Sequence, residues 1–76
     1  MITTLKDVKP GQTVLVDSVK VTGQARGRFM AMGIVKGVRL KVIKVAPLGD
    51  PIEVLVKSYN LSFRKAEAEK IIVSLG

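Results

Sequence analysis

Two prolines bracket a glycine in Ala46-Pro47-Leu48-Gly49-Asp50-Pro51, and this hexapeptide constrains the fold more than any other stretch of the 76-residue chain. Each proline fixes φ at about −65° and has no N–H to give to a ladder. Gly49 accepts a positive φ, and Asp50, ahead of a proline, is held extended. The chain therefore turns here and leaves extended at Ile52. From there Ile52, Val54 and Val56 alternate with Glu53, Leu55 and Lys57, the period of a half-buried strand. After Ser58-Tyr59-Asn60 the alternation resumes as Leu61-Ser62-Phe63-Arg64. Strands joined by so few residues are antiparallel neighbours. Helix formers follow at once in Lys65–Lys70, so turn, strand, turn, strand and helical turn succeed one another without slack.

Upstream, Leu5 and Val8 are spaced to cover one end of a core, and Pro10-Gly11 is a turn. Thr13–Val19 is rich in β-branched residues and reads as the first strand, with Val14 and Val16 inward and Thr13, Leu15 and Asp17 outward. Gly23–Gly33 is the helix candidate. Ala25, Phe29 and Met32 fall on one stripe of a 3.6-residue period, and Gly33 is a natural stop. Gly27 costs about 1 kcal/mol in a helix interior relative to Ala, so this helix depends on burying Phe29. Val38–Val45 changes phase partway: Val38, Leu40 and Val42 alternate, then Ile43 and Val45 are apolar. A bulge near Val42-Ile43 reconciles the two halves. A last strand runs through Ile71, Val73 and Leu75. The pattern predicts one domain over 1–76, a mainly β, five-stranded, SH3-like antiparallel barrel. It carries one inserted α-helix (about 23–33) and a short helical turn (about 65–70). The expected core is Val14, Val16, Phe29, Met32, Leu40, Val42, Ile52, Val54, Leu61, Phe63, Ile71 and Val73.

Composition narrows the function by subtraction. There is no His and no Cys, so no imidazole activates a hydroxyl and no thiolate or imidazole holds a transition metal. The six carboxylates are scattered, and Asp50 with Glu53 reads as a turn former plus a solvated strand residue. The expectation is no enzyme, no catalytic residue, no cofactor in the isolated chain and no metal site. Thirteen Lys and Arg against six acids give a net charge of +7, which draws nucleic acid, anionic lipid or an acidic protein. A basic nucleic-acid-binding barrel is the alternative function, yet base stacking needs exposed aromatics. Of Phe29, Phe63 and Tyr59, the two phenylalanines belong to the core. No apolar run approaches the ~20 residues of a membrane span. The N-terminus also lacks the charged-then-apolar order of a signal peptide, so a cytoplasmic location is expected.

One stretch also resembles a known family. APLGDPI, followed by Phe63-Arg64-Lys65 and a small acidic helical turn, is similar to FeoA proteins, small cytosolic accessories of bacterial ferrous iron uptake. The likeness extends upstream to Arg26-Gly27-Arg28-Phe29-Met30-Ala31-Met32-Gly33 and covers roughly Gly11 to Val73. Lys36-Gly37 departs from the family's usual Pro-Gly. The resemblance implies the same SH3-like barrel, an association with iron at the level of the family, and action on a protein that handles the metal. That partner is the membrane GTP-binding ferrous iron transporter FeoB, which would hold the chain peripheral to the inner membrane. A second copy of the chain is the other candidate partner. The partner-binding residues expected are Leu55, which faces outward between Glu53 and Lys57, with Arg64 and Lys65 of the family-like motif. Arg26 and Arg28 on the helix are the next candidates.

Overall fold

The computed structural model describes residues 2–75. Met1 and Gly76, the ends of the expected 1–76 unit, lie outside the described residues. The elements are β1 (Ile2–Thr4), a 3₁₀ turn (Leu5–Asp7), β2 (Thr13–Val19), α1 (Gly23–Ala31), β3 (Arg39–Val45), β4 (Ile52–Val56), β5 (Tyr59–Phe63), α2 (Lys65–Ala68) and β6 (Ile71–Leu75). The strands form one antiparallel sheet in the order β1-β6-β2-β3-β4-β5. Inward residues of β2, β3, β4, β5 and β6 all join one apolar cluster. The molecule measures 30 × 25 × 24 Å. A single sheet that shares one core in so nearly isometric a body must curl around it.

Two bulges make the curl. In β3 the register with β4 shifts between Val42 and Lys44, where the sequence predicts it. Leu40 and Val42 are buried ahead of the bulge, and Val45 packs on the core after it. A second bulge, not expected from the sequence, lies in β2 between Val16 and Ser18. It lets Val19 reach the core on the opposite parity from Val14 and Val16.

Several expectations need correcting. Among the described residues there are six strands, not five. β1 pairs Ile2, Thr3 and Thr4 with Ser74, Val73 and Ile72, and three residues are too few to show an alternation. The β4–β5 turn is tighter than expected, because Tyr59 already pairs with Val56. Only Lys57 and Ser58 turn the chain, with Lys57 at φ 55°, in a region that side chains other than Gly rarely adopt. The helix ends at Ala31, and Gly33 follows at φ +84°. The second helix is one turn, Lys65–Ala68, shorter than 65–70.

The core is close to the expected one. Met32 and Leu61 are half-buried instead of buried, since Met32 caps the helix and Leu61 sits on the edge strand. Ile34 takes a deep place in the core that its position in a connection concealed, and Ala68 another from α2. Leu5 and Val8 are buried as their spacing implies. Phe29 and Phe63 meet edge to face at 5.6 Å between centroids and 69° between planes, locking α1 onto the sheet. Among the described residues no polar or charged side chain is buried. All their charge chemistry is therefore on the surface.

Candidate interaction surface

Register decides which outward side chains meet. Thr13 pairs with Lys41, Lys41 with Leu55, and Leu55 with Asn60. These four side chains form one row across the outer face of the sheet, because residues paired in an antiparallel ladder point to the same side. The adjoining row holds Leu15, paired with Arg39 on one side and Ser74 on the other. A groove of about 480 Å³ opens on this face, with half-buried Leu55 and Val38 as its apolar lining. Arg39, Lys41 and Lys57 stand around it, with Thr13 and Gly37 at its edge. Gly37 is placed by its own N–H, which donates to the Val16 carbonyl at 2.8 Å.

Leu55 is thus outward-facing, as the sequence indicates, and its neighbours half-cover it. Arg64 and Lys65 lie at the far end of the β4–β5 ladder, beyond the Ile52–Phe63 pair. There the Lys65 N–H donates to Asp50 Oδ1 at 3.2 Å, and Arg64 Nε stands 3.8 Å from the same oxygen. Asp50, in the proline turn, so fastens the start of α2. The Arg64 N–H donates to Glu67 Oε1 at 2.9 Å, an acidic cap on the first turn. Glu67 Oε2 in turn accepts from the Arg28 guanidinium, linking α2 to α1. Such exposed pairs contribute under about 1 kcal/mol each, but they hold Arg28 and Arg64 on internal partners.

Arg26 is separate again. It borders a cleft of about 300 Å³ between β2 and α1, shared with Asp17, exposed Met30 and Val35, and Lys36. The five residues singled out from the sequence therefore fall in three places: Leu55 at the groove, Arg26 at the cleft, and Arg28, Arg64 and Lys65 together around Glu67 and Asp50. Parity alone brings Arg39 or Lys41 to the side of Leu55. It does not reveal Val38 and Thr13, since only the register brings them to the same groove.

Tyr59, the exposed aromatic, is also committed. Its hydroxyl donates to the Met32 carbonyl at 2.6 Å, satisfying the end of α1. The close approach explains Gly33, where an added Cβ would stand 2.9 Å from that hydroxyl oxygen. The described residues contain no group of three or more His, Cys, Asp or Glu that could hold a metal ion. The described surface presents an apolar strip flanked by cations on one sheet face and a braced helix end on another.

The chain is similar in sequence and fold to known proteins. The FeoA domain family model matches residues 3–75. A fusion of Fe(2+) transport protein A with the Fe(2+) transporter FeoB, from Porphyromonas gingivalis, is 35% identical over 71 residues. The match takes in 93% of this chain but only 8% of that relative's length. The solution structure of FeoA from Chlorobium tepidum superposes with a TM-score of 0.87 at 43% identity, covering 95% of this chain and 69% of that one. FeoA from Stenotrophomonas maltophilia, solved with zinc and described as an SH3 domain protein, superposes at 0.81 with 25% identity. That match covers 93% of this chain and 88% of the other.

Proposed function

The chain belongs to the FeoA family, and on that premise we propose that it is a non-enzymatic accessory module of ferrous iron uptake. It docks on the cytosolic part of a FeoB-type GTP-binding transporter and modulates its turnover. The observation that carries this reading is the fusion relative, in which a region similar to this chain shares one polypeptide with FeoB. Covalent linkage keeps two parts at high effective concentration, an arrangement suited to modules that work in contact. Iron is then the transporter's cargo. The carboxylates of this chain are dispersed, and the hard or borderline donors a divalent iron site needs are not assembled among the described residues. No described helix is long and apolar enough to cross a membrane, so on this reading contact with the membrane system runs through the transporter.

The test is co-purification. The full chain is mixed with detergent-solubilised, full-length FeoB, and the complex is separated by size. Co-elution of the two, with a changed rate of GTP hydrolysis or ferrous iron flux in reconstituted vesicles, is expected. Separate elution with unchanged rates would refute the reading.

A further inference from the structure

We infer that the groove between β2, β3 and β4 receives an acidic segment that carries an apolar side chain among its carboxylates, and that this segment lies in the cytosolic part of FeoB. The second half of that statement rests on the docking reading above.

Charge points to an anionic ligand. Arg39, Lys41 and Lys57 are exposed at the groove. The ion pairs among the described residues are Lys6–Glu69, Arg28–Glu67 and Arg64–Asp50, and none of the three groove cations takes part. The carboxylate on the same face of β4 is Glu53, two residues from Leu55, and it accepts from Asn60 Nδ2 at 3.3 Å. Three like charges held close together repel one another, and an anionic ligand relieves that repulsion.

Spacing makes the demand more specific. Arg39 and Lys41 are alternate residues of β3, so their backbones are about 6.5–7 Å apart along the strand. Carboxylates on alternate residues of an extended ligand have that same separation. Lys57 follows Val56, the partner of Leu40, and so flanks Arg39 from the neighbouring strand.

The apolar lining then chooses among anions. Leu55 and Val38 are half-buried, and Leu15 beside Arg39 is 40% exposed. A bare phosphate or lipid headgroup would leave these three uncovered. An RNA base needs an aromatic platform, and no aromatic side chain is among the described residues that line the groove. An acidic peptide segment with a leucine-like side chain satisfies both the cations and the apolar strip.

Two measurements test this. First, the full chain labelled with nitrogen-15 is titrated with the synthetic peptide Ser-Leu-Ser-Glu-Ser-Glu-Ser, whose leucine and two glutamates share one face when extended. Amide shifts concentrated at Gly37–Lys41 and Leu55–Lys57 are expected, and shifts concentrated in the α1 cleft around Arg26 and Met30 would overturn the assignment. Second, Arg39→Glu/Lys41→Glu is compared with the parent for binding to full-length FeoB in nanodiscs. A loss of at least about tenfold is expected, with an unchanged amide fingerprint; Lys57→Glu serves if the double variant misfolds. A folded variant that binds FeoB like the parent removes the groove as the docking face and leaves the docking reading intact. A parent that ignores FeoB while the peptide fills the groove refutes the docking reading and keeps the ligand class. Phosphatidylglycerol vesicles or poly-uridylate bound more tightly than the peptide at physiological salt would overturn the class.

Discussion

Replacing Phe63 by Ala removes the ring on which the two halves of the core meet. Phe63 is 1% exposed and packs edge to face on Phe29, and it ends β5 opposite Ile52. Truncating a buried aromatic costs about 3–5 kcal/mol, of which the ring pair itself accounts for about 0.5–1.5. A domain of this length is stable by only about 4–11 kcal/mol in all. The substitution therefore takes a large share of the total, and part of the population unfolds near body temperature. Urea unfolding followed by circular dichroism at 25 °C reads this directly. With a slope of about 1–1.5 kcal/mol per molar for so small a protein, the midpoint should fall by about 2 M or more. A milder cycle with Phe29→Leu, Phe63→Leu and the double variant isolates the ring pair. It should return a coupling of about 0.5–1.5 kcal/mol. A Phe63→Ala midpoint within a few tenths molar of the parent would refute the assignment of inner and outer faces. Zero coupling in the leucine cycle would refute the ring contact.

Other expectations follow from single positions. Gly27 lies inside α1, and a Cβ added there would meet nothing within 4 Å, so Gly27→Ala should stabilise by about 0.5–1 kcal/mol. The melting temperature should then rise by several degrees, and a fall would show that the position is not an open helix interior. Tyr59→Phe deletes the bond to the Met32 carbonyl and should cost about 0.5–1.5 kcal/mol; an unchanged melting curve would show that the bond contributes nothing to the cap. Anaerobic calorimetry of the isolated chain with ferrous iron should give no saturable heat, and a micromolar or tighter site would contradict the placement of iron on the transporter.

Much of the fold is legible in the sequence because the strong signals are local. Alternation in Ile52–Val56, the phase change at Val42-Ile43 and the glycine after Met32 each follow from backbone sterics and burial of one face. The features without a local signal depend on partners distant in sequence. β1 is three residues long and exists because β6 offers an edge at Ile72–Ser74. Ile34 sits in a connection, where no periodicity marks it as core. Lys57 adopts a positive φ that its side chain does not favour, so nothing in its chemistry marks the turn as starting there. The interaction surface is legible only in part for the same reason. The parity of β4 exposes Leu55 and that of β3 brings Arg39 or Lys41 to its side, but only the β2–β3–β4 register adds Thr13, while Arg64 lies elsewhere on Asp50.

Whether the groove faces the transporter is tested most directly by a site-resolved crosslink. The chain has no cysteine, so one can be introduced alone, as Thr13→Cys at the groove or as Met30→Cys at the α1 cleft. Each carries a benzophenone and is irradiated with full-length FeoB in nanodiscs. Docking through the groove predicts a crosslink to the transporter from position 13, suppressed by excess unlabelled chain, and little or none from position 30. Crosslinking from position 30 alone, or from neither position, would contradict it.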